Sequence, residues 1–158
     1  SPSNPRVFAL GDSAAKLYPL SPAALREAEV TIENILGGNT VTMDYSVVPS
    51  VVFTHPPLSA VGLTEEEAEE AGMDVEVHTG DMSGWASSKR LGEKYGKYKV
   101  LIHKSTGMIA GAHIFAPRSS ESINIFALAM KHEIPAVELK KMMFAYPTYV
   151  SEITSMLG

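Results

Sequence analysis

Five histidines, eighteen carboxylates and one lysine-rich stretch are the side chains of this chain with chemistry to offer. A metal centre needs ligands that converge, and a helical site commonly sets two histidines at i and i+4. No pair has that spacing, and His55, His78 and His132 fall in separate predicted elements. His103 and His113 share one predicted hairpin. With the turn centred on Ser105-Thr106, His103 pairs with Met108 and Tyr98 with His113, which aims the two imidazoles at opposite faces. No metal site is expected. Lys89, Arg90, Lys94, Lys97, Lys99 and Lys104 gather around Tyr95 and Tyr98. Such interleaving could bind single-stranded nucleic acid, or form a solvated strand face whose lysines discourage edge pairing. With 13 basic against 18 acidic residues the net charge is −5, which favours the second reading, and no nucleic-acid partner is expected.

The missing residue types narrow the chemistry further. The chain has no cysteine, so a disulfide framework, a thiolate zinc site, an iron–sulfur cluster and a cysteine nucleophile are all excluded within it. Neither a Gly-x-Gly-x-x-Gly turn, nor a phosphate loop, nor a Gly-x-Ser-x-Gly elbow occurs. The acidic run Glu65-Glu66-Glu67 follows Thr64 and reads as a capping box, its charges favoured at the positive end of a helix dipole. On its own residues the chain is expected to be catalytically incomplete.

Elements must be found to position whatever these residues do. The 158 residues are 45% hydrophobic, enough for one core plus a smaller piece. The apolar runs are short, so no membrane partner is expected. Residues 1–5 show neither an initiator methionine nor a signal peptide, and the chain is expected to be cut from something longer. Residues 6–10 read as a short buried strand stopping at Gly11-Asp12. Ser21 then suits a helix N-cap and Pro22 the first helical position. Leu25, Ala28, Ile32, Ile35 and Leu36 recur at helical spacing up to Gly37-Gly38. One strand and one helix cannot bury both faces, so this piece needs partners.

A second part follows. Pro49 to Thr54 reads as a strand that His55-Pro56-Pro57 interrupts, and the capped helix after Thr64 stops at Gly72. Val75, Val77 and Thr79 alternate with polar residues, as do Tyr98, Val100 and Ile102, and Lys104 to Gly107 turns the chain into an antiparallel partner over residues 108–115. Three helices close the chain over residues 121–133, 136–144 and 149–157, with Ser120, Pro135 and Thr148 at their starts. In the first of them Ile123, Phe126, Ala127 and Met130 form one apolar stripe and Ile125, Leu128 and Ala129 another. So wide an arc is covered on two sides, either by the last helices or by another subunit. The fold class is α+β: an antiparallel sheet with helices packed on it, preceded by a strand-loop-helix piece.

Several stretches in order carry a resemblance. Val7-Phe8-Ala9-Leu10-Gly11-Asp12 resembles the second flavin-binding motif of the pyridine nucleotide–disulfide oxidoreductases, the group of glutathione reductase, mercuric reductase and dihydrolipoamide dehydrogenase. Leu20-Ser21-Pro22-Ala23 resembles the segment that runs under the flavin in that family. Val51-Val52-Phe53-Thr54-His55-Pro56 with Ser59-Ala60-Val61-Gly62-Leu63-Thr64 is similar to the start of its dimerisation domain, and Gly96 to Val100 with Thr106 to Ala112 to its central hairpin. Ser120-Glu121-Ser122-Ile123 and Tyr146-Pro147-Thr148 fall where its interface helix and terminal motif belong.

The resemblance implies that residues 1–44 are the tail of an FAD-binding domain and residues 45–158 a dimerisation domain. The parent would be a cytoplasmic homodimeric oxidoreductase with FAD as cofactor and NAD(P)H as co-substrate, and this chain's partners would be a second copy and the rest of the flavoenzyme. The implied cofactor-binding residues are Gly11, Asp12, Ser21, Pro22 and Ala23. Family members that reduce disulfides end in His-Pro-Thr and a glutamate that orients the histidine. Here Tyr146 stands at the histidine's position, and Glu152, a candidate partner, lies one residue further along. A phenol ordinarily ionises near about 10 and is no base near neutral pH, so quinone or metal-ion reduction joins disulfide reduction among the implied activities. The alternative from another class is a stand-alone interaction module without flavin.

Overall fold

The computed structural model describes residue 1, residues 3–14 and residues 18–158. They form two compact units, Ser1–Val48 and Pro49–Gly158.

In the first unit, residues 6–10 do not form the expected strand. All strands of the described residues lie in the second unit, and a lone segment has no neighbour for its N–H and C=O groups. Gly11–Ala14 make a 3-10 turn instead. Helix α1, Ser21–Gly37, is capped by Leu20 rather than by Ser21. Leu20 has extended backbone, and its carbonyl accepts the first helical bond from the Ala24 N–H at 3.0 Å. Ser21 and Pro22 thus occupy the first turn, where proline's missing N–H would have no intrahelical partner anyway. Gly38, at φ +85°, ends the helix and returns its N–H to Asn34. The buried face is Ala23, Glu27 and Val30. Leu25, Ile32, Ile35 and Leu36, the stripe the sequence offers as core, are exposed.

The second unit is a five-stranded antiparallel sheet in the order β1-β2-β5-β4-β3, built from β1 (Ser50–Val52), β2 (Leu58–Gly62), β3 (Val75–Asp81), β4 (Lys97–His103) and β5 (Ile109–Phe115). Two short helices interrupt it, α2 (Glu65–Glu70) and α3 (Ala86–Leu91). Then come α4 (Ser119–Lys131), α5 (Ala136–Lys141) and α6 (Ile153–Met156). The α+β architecture is the one the sequence implies. The pleat sorts the residues: Ser59, Val61, Val100, Ala112 and Ile114 share one face, on which α4 brings Ile123 and Phe126 and α6 brings Ile153 and Met156, all fully or nearly fully buried. Ser59 and Ser119 join that face through their hydroxyls at 2.8 Å. On the other face Lys99 reaches Glu65 of α2 at 2.5 Å. Gly111 is glycine for a close approach, since a Cβ there would sit 2.0 Å from the Leu63 carbonyl oxygen.

Four details depart from the sequence reading. The hairpin starts as expected, with the His103 N–H on the Met108 carbonyl at 2.8 Å, but β5 carries one extra residue opposite Leu101 and Ile102. That bulge slides the register by one, so His113 opposes Lys99 rather than Tyr98, and His103 and His113 end on the same face. Four residues of strand still separate the two rows, about 13 Å, and each ring has another neighbour: Ser105 Oγ at 3.1 Å for His103 and the Leu63 carbonyl at 3.0 Å for His113. Helix α4 is entered through Arg118 at φ +59° instead of a Ser120 cap. Helix α5 stops at Lys141, because Met142 is already extended. The third helix is a 3-10 turn, Val150–Glu152, running into α6, with the Thr148 hydroxyl accepting from the Ser151 N–H at 3.1 Å.

Candidate functional site

Two places hold the residues singled out by the sequence. The first is the turn and helix start of the first unit. Gly11 stands at φ +60°, a conformation open to glycine, and a Cβ there would lie 3.4 Å from the Ala24 Cβ of α1. Asp12, the next residue, is exposed. Among the described residues no side chain caps α1, whose first turn carries the backbone amides of Ser21 and Ala23, while Pro22 between them has no N–H to give. Ser21 and Pro22 are exposed, whereas the Ala23 side chain is buried. A carboxylate beside a left-handed glycine, with uncapped helix amides, fits the ribityl hydroxyls and the electron-rich pyrimidine edge of a flavin in kind.

Beneath this turn sits a residue the sequence reading passed over. Glu27, only 6% exposed, accepts the Gly11 N–H on one carboxylate oxygen at 2.6 Å and the Tyr45 hydroxyl on the other. The bond to that carboxylate, with burial second, pushes the Tyr45 phenol up to about 12. Tyr45 also stacks on Tyr18, ring centres 5.9 Å apart. The signal was present in the sequence: Glu27 is the one charged residue among Ala23, Glu27 and Val30, the i, i+4, i+7 row that turned out to be the buried face.

The second place is a cavity of about 440 Å³ in the second unit, lined by Trp85, Tyr146, Glu152, Thr154 and their neighbours. Tyr146 and Glu152 do face one cavity, in different states. Tyr146 is 81% exposed. The Glu152 carboxylate instead receives both the backbone N–H and the hydroxyl of Ser87, at 3.1 and 2.6 Å. The Trp85 ring leans on Tyr98 at 5.6 Å, and the Arg90 guanidinium lies over the Tyr149 ring at the same distance.

The basic cluster is drawn apart: Lys99 pairs with Glu65, Lys104 with Asp74 at 2.6 Å, and Arg90 sits on Tyr149. Among the described residues no three His, Asp or Glu side chains gather as a metal site, and no helix is long and apolar enough to cross a membrane. Large apolar side chains are exposed as well. On α4 Leu128 is exposed and Ile125 half-buried, and Val137, Met142 and Met143 are exposed beyond it, Met143 almost completely.

The chain is similar to known proteins over most of its length. Residues 48–157 match the family described as pyridine nucleotide-disulphide oxidoreductase, dimerisation domain. A 19.7 kDa protein of the mercuric resistance operon of Staphylococcus aureus is 43% identical over 158 residues, which is 99% of this chain and 88% of that protein. Mitochondrial dihydrolipoyl dehydrogenase of Rattus norvegicus is 35% identical over 144 residues, 91% of this chain but only 28% of the dehydrogenase. Among solved structures, the HOCl-induced flavoprotein disulfide reductase RclA from Escherichia coli aligns with a TM-score of 0.86 at 28% identity, over 95% of this chain and 34% of that one.

Proposed function

The chain belongs to the pyridine nucleotide-disulphide oxidoreductases, whose dimerisation domain its residues 48–157 match, and on that premise we propose that it supplies subunit pairing and one side of the flavin pocket of an FAD-dependent NAD(P)H oxidoreductase. The observation that carries the pairing is that the apolar side chains Leu128, Val137, Met142 and Met143, all within the matched residues, are exposed. Exposed large apolar side chains gathered in one domain are costly unless another surface covers them, and a two-fold axis would set the same residues of a second copy against them.

The flavin reading rests on Gly11, Asp12, Ser21, Pro22 and Ala23. Asp12 would hydrogen-bond the ribityl chain, and the Ser21 and Ala23 amides at the positive end of α1 would face the pyrimidine edge, where reduced flavin carries negative charge. When bound, FAD would take a hydride from NAD(P)H and pass two electrons onward. The chain holds neither a glycine-rich dinucleotide turn nor a cysteine pair, so those parts would come from the rest of the enzyme. The need for reduced nicotinamide as electron donor supports a cytoplasmic location for the assembly. Purification of the chain from its source, together with the polypeptide it is joined to or paired with, should give a flavin absorption spectrum. A colourless preparation that keeps its partners would favour an interaction module without flavin.

A further inference from the structure

Glu27 is a buried carboxylate that neither subunit pairing nor electron transfer calls for. Burying such a group is costly unless its oxygens are satisfied. Here they hold together three segments distant in sequence: the Gly11 turn, helix α1 and the returning segment at Tyr45. Among the described residues the Gly11 N–H and the Tyr45 hydroxyl each take one of the Glu27 oxygens. A carboxylate has acceptors at both positions, whereas glutamine would set an NH2 against one of the donors. The Gly11 amide is also the group immediately before Asp12, and its left-handed conformation brings the turn close to Ala24 of α1.

We propose that Glu27 is a positioning residue of the flavin pocket: its carboxylate fixes the Gly11–Asp12 turn against the first turn of α1, so that the Asp12 side chain and the Ser21 and Ala23 amides meet one ligand at a set spacing. This rests on the flavin reading above. Glu27 reaches the cofactor only through Gly11 and Asp12, and Tyr45 serves as the second tether that keeps the carboxylate from swinging into solvent.

The test uses the full chain and three variants, Glu27→Gln, Glu27→Ala and Tyr45→Phe, followed by backbone amide NMR and by ultraviolet titration of tyrosine. In the wild type one tyrosine should titrate near 12, as the Tyr45 phenol is placed, and the Gly11 amide should exchange slowly. Glu27→Gln should accelerate Gly11 exchange at least about tenfold, the loss expected when a charge-assisted bond is removed, while Tyr45→Phe should leave Gly11 less affected. FAD added to the millimolar range should shift the Asp12 and Ala23 amides of the wild type and not those of Glu27→Gln. An unchanged Gly11 amide in Glu27→Gln overturns the proposal, and so do equal FAD shifts in wild type and variant. If Gly11 and Tyr45 respond as described but FAD moves no wild-type amide, the flavin reading fails and the positioning claim fails with it, leaving Glu27 only a structural tie. Should both Glu27 variants unfold the first unit, the wild type decides alone: a Tyr45 midpoint at the ordinary value near 10 overturns the arrangement.

Discussion

Ser87 gives both its backbone N–H and its hydroxyl to the carboxylate of Glu152, a residue 65 positions later in the chain. The pair ties the start of α3, the segment carrying Trp85, to the turn that leads into α6. Ser87 is buried and Glu152 half-buried, so the bonds are shielded from water on one side. Hydrogen bonds to a charged group typically contribute about 1.5–3 kcal/mol. Ser87→Ala removes one of two and leaves the backbone bond, so a loss of about 1–2 kcal/mol is expected by denaturant unfolding. Glu152→Ala strands the Ser87 hydroxyl as well and should cost more. Equal stability of the wild type and Ser87→Ala would show that the bond adds nothing.

Much of the second unit can be read from particular residues. Alternation in Val75-Glu76-Val77-His78 and Tyr98-Lys99-Val100 marks β3 and β4, and Thr64 with Glu67 marks the start of α2, where both halves of the capping box form. The bulge opposite Leu101 and Ile102 is not legible, because it answers to packing around Gly111 and Leu63 and not to any turn signal. Strand β2 escapes periodicity for a similar reason: Ser59 sits at a core position because Ser119, 60 residues away, satisfies it. In the first unit the pattern misleads. Leu25, Ile32, Ile35 and Leu36 look like a core face, yet the face that is buried is the one with a glutamate in it.

The exposed apolar surface on α4 gives the second prediction. Sedimentation of the chain at micromolar concentration should return a mass near twice 17.0 kDa. Leu128→Asp places a charge on an exposed apolar position of α4, where it disturbs the monomer little, and should halve that mass without loss of helical signal. A wild-type chain that stays monomeric at these concentrations would set α4 aside as a pairing surface.

Asp12 and the start of α1 would touch one side of FAD, and its pyrophosphate needs a glycine-rich turn that this sequence does not contain. The isolated chain is therefore expected to bind FAD no tighter than about 100 μM, roughly 5–6 kcal/mol of affinity. Fluorescence quenching of FAD during titration measures it directly. Sub-micromolar binding would mean a more complete pocket than these residues provide.

Stability should fall at both ends of the pH scale for separate reasons. Glu67 is held below its ordinary 4.5 by the Thr64 backbone N–H and hydroxyl, and Asp81 below 3.8 by the Ser83 hydroxyl and N–H. A depressed folded-state value means the stabilisation is present above the ordinary value and disappears as pH drops through the folded one. Melting temperature should thus decline below about pH 4.5, less steeply in Glu67→Gln. Tyr45 works the other way: its folded value of about 12 lies above the ordinary 10, so its contribution holds below pH 10 and fades as pH climbs toward 12. Tyr45→Phe should flatten the alkaline decline and leave the acid side unchanged.

Tyr146 carries the last prediction. It stands where disulfide-reducing relatives are expected to have a histidine, it is 81% exposed, and it shares its cavity with Trp85 and with a glutamate already occupied by Ser87. A proton relay needs a group that gives up and regains a proton near neutral pH and a carboxylate free to orient it, and this cavity offers a phenol and a carboxylate turned toward α3. Loss of a general acid commonly costs about a hundredfold to ten-thousandfold in rate. The complete enzyme is therefore expected to reduce glutathione-like disulfides poorly while transferring electrons to quinones or metal ions that need no protonated thiolate. The assay compares wild type with Tyr146→His on both kinds of acceptor. Histidine alone should recover only part of the disulfide activity, because Glu152 remains bound to Ser87, and adding Ser87→Ala, which frees the one carboxylate oxygen held by the hydroxyl while the Ser87 N–H keeps the other, should raise it further. A wild-type enzyme that already turns over disulfides at kcat/KM values typical of efficient enzymes would show that Tyr146 suffices and that the cavity works by another route.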